Sequence, residues 1–335
     1  MQSQLPLAMG SGNRSPVAAL APMSGVTDVS MRRIARRFGA SFVVSEMVAS
    51  DDYVRGAEES RVRAEGEGID CHIVQLAGRD PQWMAEAAKL AEASGAHVID
   101  INMGCPAKKV TGGYAGSALM RDLDLAERLI EAVCSATSRP VTVKMRLGWD
   151  DGSLNAPELA RRAETHGVAW ITVHGRTRCQ FYKGQADWNA IAVVKNAVSL
   201  PVIANGDCNT LADAKTLLST SKADGVMIGR AALGQPWLVG QIAKALAGEA
   251  YIETPIDQRQ EAVSEHYDDL LSLFGIETGI RHARKHLAAY LDDAVAMGAQ
   301  WSDAERLELL TSQDHLVVTK RLARLYSTID RKEAA

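Results

Sequence analysis

Two hydrophobic rhythms alternate along the first three quarters of the chain. Eight short runs are apolar: "VAALAPM" (17–23), "FVVSEMV" (42–48), "HIVQLAG" (72–78), "VIDINMG" (98–104), "VTVKMRLG" (141–148), "WITVHGR" (170–176), "PVIANGD" (201–207) and "GVMIGR" (225–230). Most are continuous rather than alternating, as expected of strands buried on both faces of a parallel sheet. Between them apolar residues recur at helical spacing. In "TDVSMRRIARRFG" Met31, Ile34, Ala35 and Phe38 share one face, with Thr27 or Asp28 placed to cap the start and Gly39 the end. Similar stretches are "DPQWMAEAAKLAEASG", "DLDLAERLIEAVCSA", "APELARRAETHG", "DWNAIAVVKNAV" and "TLADAKTLLST". This α/β alternation predicts a (β/α)8 TIM barrel over residues 17–250. An open doubly wound sheet would need its phosphate loop early, and no G-x-G-x-x-G follows the first run.

After "TPIDQ" only helical periodicity remains. Val263, Tyr267, Leu270, Leu271 and Phe274 form one stripe; Ile280, Ala283, Leu287 and Leu291 form the next; "DHLVVTKRLARLYSTIDR" is a further helix. Residues 251–335 are therefore expected to form a small helical domain of three or four helices. Residues 1–16 lack the charged start and long apolar centre of a signal peptide and are expected to be a short tail.

Composition narrows the class without naming it. Hydrophobic residues make up 47% and charged residues 23%, an ordinary globular balance, and no apolar run approaches a membrane span. The net charge of −4 argues against a surface coated in nucleic acid, although a local basic patch can still attract phosphates. The five cysteines are odd in number, widely spaced and without a C-x-x-C pair. Neither a disulfide framework nor a metal site is expected, and a reducing cytoplasm fits. The chain is expected to act as a monomer.

In a barrel of this kind the active site lies at the carboxyl ends of the strands. Those ends carry Pro22, Met23 and Ser24, then Glu46, Gln75, Asn102, Cys105, Lys144, Arg146, His174 and Arg176. The last two contribute Asn205, Gly206 and Asp207, then Gly229 and Arg230. Any one of these reads equally as a loop amide, a core histidine or a solvated charge. A polar group from nearly every strand end at one mouth predicts a site. Loops after the seventh and eighth strands commonly bind phosphate in such barrels, and "ANGD" and "MIGRAALGQPW" supply glycine amides and an arginine for it. Lys144, in the middle of the mouth, could stabilise negative charge on a ring. That set fits flavin mononucleotide (FMN), and it also fits a phosphosugar enzyme. Cys105 stands between a glycine and a proline just past a strand end, in "INMGCPAKKVTGGYAGSALM". Position alone leaves a reactive thiol and a small loop residue both open.

The segments "APMSGVTD", "QLAG", "INMGCPAKKVTGGYAGSALM", "VKMRLGWD", "VHGRTRCQFYKGQADW", "IANGD" and "GVMIGRAALGQPW" together resemble the tRNA-dihydrouridine synthases, most of all the bacterial B subfamily. The resemblance runs from about residue 17 into the helical tail. It implies that Pro22, Met23 and Ser24 hold FMN through the backbone, and that Gln75, Lys144 and His174 meet its ring and ribityl chain. Asn205, Gly206, Asp207, Gly229 and Arg230 would take its phosphate end, and Cys105 would be the catalytic acid. NADPH would reduce the flavin, and hydride would pass to C6 of a uracil in tRNA. The chemistry is consistent: reducing a C5=C6 bond needs hydride at one carbon and a proton at the other, and a free thiol is mostly protonated at neutral pH.

A base must leave its stack to reach a barrel floor, so the protein is expected to grip flexible tRNA loops. Lys108 and Lys109, the loop residues Arg176 and Arg178, and the helical residues Arg281, Arg284 and Lys285 are the expected RNA contacts. Lys320, Arg321 and Arg324 form a second basic set, whereas Arg32, Arg33, Arg36 and Arg37 are expected to be structural. A flavin barrel acting on a free dihydropyrimidine or dihydroorotate would not need the helical tail. A non-catalytic RNA-binding barrel would have no reason to keep Cys105, Lys144 and the phosphate loops.

Overall fold

A computed structural model of the protein describes residues 15–113 and 115–329, with Lys109 described in its backbone only. Most of the expected tail, residues 1–14, lies outside the described residues. Strands β1 (Val17–Leu20), β2 (Phe42–Ala49), β3 (His72–Ala77), β4 (Val98–Met103), β5 (Val141–Arg146), β6 (Trp170–His174), β7 (Val202–Asn205) and β8 (Gly225–Ile228) pair in parallel in sequence order, and β8 closes on β1. Among the described residues the helices begin with α1 (Val29–Arg37), α2 (Ser50–Val54), α3 (Glu58–Ala64), α4 (Pro81–Ala93), α5 (Lys108–Thr111), α6 (Leu123–Ala136) and α7 (Ala156–Thr165). They continue with α8 (Trp188–Ala197), α9 (Leu211–Ser221) and α10 (Trp237–Leu246). The last four are α11 (Ile256–Phe274), α12 (Ile276–Ala296), α13 (Asp303–Thr311) and α14 (His315–Leu322).

All eight expected strands form, most of them ending two or three residues short of the apolar run. The remainder of each run, such as Ala21–Met23 after β1, has left the ladder to build the mouth. The short helices α2, α3 and α5 were not legible, because their segments are too short or too polar to show an apolar face. Asp28 caps α1, accepting a hydrogen bond from Met31 N at 3.0 Å, and Gly39 (φ +109°) follows its end. The expected structural arginines are engaged in the fold. Buried Arg32 donates to Thr27 O and Glu65 O, Arg33 to Glu67 O, Arg36 to Asp70 and Arg37 to Glu265.

The period of two along each strand sorts the barrel interior into layers. Ala19, Phe42, Ile73, Val98, Trp170, Ile203 and Met227 fill the lower interior, with the Phe42 and Trp170 rings 5.7 Å apart. Two residues further along the same inward rows stand Gln75, Asp100, Thr172 and Asn205, and Lys144 follows Thr142. The floor is thus hydrophobic and the mouth polar by register alone.

Helices α11–α14 pack around Val263, Tyr267, Leu270, Leu287, Tyr290 and Leu291, and this core takes in Ile34 and Trp237 from the barrel. Burying each large side chain there stabilises by roughly 1.5–3 kcal/mol. Gly279 permits the close approach of α12 to α11: a Cβ would meet Leu270 O at 2.6 Å. No helix among the described residues is long and apolar enough to cross a membrane.

Candidate active site

One hydrogen-bonded chain crosses the floor of the mouth from β5 to Cys105. Thr142 Oγ1 donates to Asp100 Oδ1 at 2.5 Å, and Gln75 Nε2 donates to Asp100 Oδ2 at 2.6 Å. Gln75 Oε1 accepts from Asn102 Nδ2 at 2.7 Å, and Asn102 Oδ1 accepts from the backbone N–H groups of Gly104 (3.1 Å) and Cys105 (2.9 Å). An ionised carboxylate can only accept, so Asp100 orients the Gln75 amide, which orients the Asn102 amide, which fixes the Cys105 backbone. Burial raises the Asp100 pKa while its Gln75 and Thr142 donors oppose that. Asp100 was missed from the sequence, although an acid inside the apolar run "HVIDINMG" was the available signal.

Cys105 itself is half-buried and unpaired by any disulfide. Its carbonyl accepts from Ser117 N (3.0 Å) and Ser117 Oγ (2.8 Å), and Arg146 Nε donates to Gly104 O at 2.9 Å. The glycine-rich segment lies directly behind it. Gly116 has φ +60°, and a Cβ there would come within 2.8 Å of Cys105 O, so only glycine fits. Arg146, named among the strand ends yet left out of the assigned site residues, is buried. It also donates to Thr177 O and Phe181 O at 2.8 Å each, and its guanidinium lies 5.5 Å from the centre of the exposed Tyr182 ring. Arg146 therefore ties the Cys105 loop to the loop after β6.

Lys144 Nζ donates to Asn205 Oδ1 at 3.1 Å, and Asn205 Nδ2 donates to Met227 O at 2.8 Å, which fixes the amide with its oxygen toward the lysine. Desolvation, with the nearby Arg146 cation, brings the Lys144 pKa down to about 8. Burial and the surrounding Lys144, Arg146, Arg176 and Arg230 cations hold His174 neutral, well below the usual imidazole range. Arg176 faces His174 Nε2 at 3.3 Å. A guanidinium can only donate, so His174 carries its proton on Nδ1.

At the β7 end Gly206 (φ +120°) and Asp207 (φ +56°) turn the chain sharply, and a Cβ on Gly206 would meet Ala186 Cβ at 2.7 Å. Asp207 accepts from Arg176 (2.6 Å), Ala186 N (2.7 Å) and Arg230 (3.4 Å). Its carboxylate is thus committed to cations and a backbone amide, and an anion at this end would meet Arg230 and backbone N–H groups instead. Arg230 is 61% exposed and only loosely paired. Gly229 borders open space: a Cβ there would find nothing nearer than 3.8 Å, from Ala21 and Met23. These are features of a cradle that a phosphorylated planar cofactor would fit: a half-buried lysine, a neutral histidine, an exposed and loosely paired arginine and bare glycine backbone. Pro22, Met23 and Ser24 line the turn after β1, with Ser24 exposed.

The expected RNA contacts do not form one surface. Arg176 is buried, with its donors spent on Lys183 O, Gly184 O, Asp207 and His174. It is a strut of the site rather than an exposed phosphate contact, because an inward-facing residue past β6 points back over the mouth. Arg178 is half-buried between Trp149 and Phe181, at 4.7 and 4.5 Å from their ring centres. Lys108 is exposed beside the Cys105 loop; the Lys109 side chain lies outside the described residues. Arg281 pairs with Glu277, Arg284 is half-buried and reaches toward Thr311 O, and Lys285 faces a cavity bounded by Gly25 and Glu46.

The family model described as dihydrouridine synthase matches residues 19–324. A probable tRNA-dihydrouridine synthase of Rhizobium leguminosarum bv. phaseoli is 52% identical over 93% of this chain and 94% of its own length. One of Rhodobacter capsulatus is 50% identical, covering 96% of this chain and 97% of its own. A tRNA-dihydrouridine synthase B of Xanthomonas campestris pv. campestris is 46% identical, covering 83% of this chain and 85% of its own. A match spanning barrel and helical region alike places this oxidoreductase in the dihydrouridine synthase family.

Proposed function

We propose that the chain reduces a uridine of tRNA to 5,6-dihydrouridine, using FMN that NADPH has reduced, with Cys105 as the proton donor. The observation that supports the reading is the polar chain from Asp100 through Gln75 and Asn102, which fixes the Cys105 backbone at a mouth whose residues would fit a flavin. When bound, the flavin supplies hydride to C6 of the base. Pro22, Met23, Ser24 and Gln75 would hold its ring, and Lys144 would place a cation at the ring's electron-rich edge. Neutral His174 would donate from Nδ1. Backbone amides of Asn205, Gly206, Asp207 and Gly229, with the Arg230 guanidinium, would take the phosphate. Cys105 Sγ would give its proton to C5 as the hydride arrives at C6. Lys108, the half-buried Arg178, Arg281 and Lys285 would meet tRNA phosphates, with residues 251–335 as the tRNA-binding domain. A reducing cytoplasm, where free thiols persist, is the compartment this reading favours.

The test is direct. The purified protein should be yellow, with one FMN per chain released on denaturation. tRNA from cells lacking the protein should lose dihydrouridine at a defined position by mass spectrometry. Colourless protein whose melting temperature FMN does not raise would end the flavin reading.

A further inference from the structure

The turn after β1 carries Pro22, Met23 and Ser24, and the helical domain reaches it by a buried polar cluster. The turn is closed on itself: Met23 N donates to Thr27 Oγ1 at 2.9 Å, and Val26 N and Thr27 N donate to Met23 O at 2.9 and 3.0 Å. Gly25, at φ +71°, donates its N–H to Glu46 from β2. Asp28, next along the chain, is approached by two histidines from the helical domain. His266 Nε2 (α11) lies 3.2 Å from both of its carboxylate oxygens, and His286 Nε2 (α12) lies 3.4 Å from Oδ2. Tyr290 Oη sits 2.8 Å from His266 Nδ1 and fixes that ring, and all three members of the cluster are buried. Each imidazole can donate Nε2–H to the carboxylate, so the cluster is satisfied as it stands. Beside it lies a cavity of about 390 Å³ between barrel and helical domain, lined by Gly25, Glu46, Arg63 and Lys285 among others. Lys285 Nζ comes within 3.1 Å of the position a Gly25 Cβ would occupy.

The three ligand-type atoms lie within 4.8 Å of one another, a spacing that a metal ion could also bridge. The buried Arg32 guanidinium, which donates to Thr27 O and Glu65 O, adds a positive charge near Asp28 that disfavours a divalent cation there.

We propose that Asp28, His266 and His286 are positioning residues: through them the helical domain sets the Pro22–Thr27 turn, so that hydride transfer to the base depends on how that domain is seated. This rests on the reading of the turn as part of the flavin pocket. An ordinary anchor between two packed regions would affect only stability. A positioning cluster also moves the flavin's surroundings and the rate of the step that needs its alignment, where small misplacements are costly.

The experiment uses the full-length protein loaded with FMN. His266→Leu and His286→Leu remove the donors to Asp28; His266→Gln and His286→Gln keep one. In the Leu variants the visible flavin spectrum should shift, and reoxidation of the reduced protein by saturating tRNA should slow about tenfold. Their Kd for tRNA should stay within about twofold of wild type, and the Gln variants should recover most of the rate. Wild-type spectra and rates in folded Leu variants would overturn the proposal and leave a structural anchor, as would stoichiometric bound metal. Should the Leu variants not fold, Asp28→Asn, which keeps the α1 cap, takes their place. It should slow reoxidation about threefold, and a wild-type rate would overturn the proposal. Amide hydrogen exchange over residues 23–28, measured without flavin, should quicken in the same variants. That readout stands even where wild-type protein binds no FMN, an outcome that would remove the flavin reading instead.

Discussion

The barrel mouth and the basic residues of the helical domain look alike as sequence, since both are polar groups dispersed among apolar residues. In the mouth they converge. Parallel register sets Asn102 opposite Lys144 and His174 opposite Asn205, so side chains far apart in sequence meet at fixed spacing. On the helical domain they diverge: Arg281 turns to Glu277, Arg284 toward α13, Lys285 to the junction cavity, and Arg321 to Glu305 and Glu308. A strand lattice dictates where the next residue points. A helix surface leaves each long side chain to whichever neighbour lies nearest.

Removing the group on which the mouth converges should have the largest effect. Cys105→Ala leaves the Asn102 chain bonded to the backbone, so flavin binding and reduction by NADPH should survive. Reoxidation by tRNA should slow by a factor of about 10² to 10⁴, the range for a lost general acid. Stopped-flow absorbance with unmodified tRNA measures it, and Ser should rescue poorly because a hydroxyl is a far weaker acid. A wild-type rate in the Ala variant would remove Cys105 from the chemistry.

Next in size is the distinction between a strut and a surface cation. Arg176→Ala strips Asp207 of its buried partner and should cost about 3 kcal/mol in denaturant unfolding, whereas exposed Lys108→Ala should change stability by less than about 0.5 kcal/mol. Equal effects from the two would erase the contrast between converging and diverging cations.

A third test uses pH. The Lys144 pKa of about 8 lies below its ordinary 10.5. The folded protein therefore sheds this proton as pH rises through 8, while the unfolded chain keeps it to 10.5. Stability gains from this group between those values, and the cation needed at the ring edge is lost. Flavin reduction by NADPH should fall severalfold above pH 8 while the melting temperature does not fall through this group. Lys144→Arg, whose charge persists at high pH, should flatten the profile.

The smallest effect belongs to the helical surface. Arg281, Arg284 and Lys285 changed together to Ala should weaken tRNA binding about three- to tenfold and lower the slope of log affinity against log salt by one to two. NADPH oxidation by the flavin should be unaffected. An unchanged slope would return all three to solvated or structural roles.

Much of the fold was readable before any coordinates, and the reason is periodicity. Continuous apolar runs alternating with amphipathic stretches leave few architectures besides a parallel barrel, and its carboxyl ends then single out Gln75, Cys105, Lys144, His174 and Asn205. Asp100 escaped because an acid within an apolar run looks like an interruption until its donors, Gln75 and Thr142, are placed around it. Arg176 was expected among exposed RNA contacts, and its burial escaped because charge in a loop carries no record of it.

Sequence by itself determined the order of the eight strands and of the longer helices between them, because these depend on local sterics and period. Tertiary structure alone decided which polar groups meet: that Asp28 is held by His266 and His286 across 238 residues in the first case, and that Asp207 spends its charge on Arg176. Such pairings are made by packing between distant segments, and no property of either segment alone specifies them.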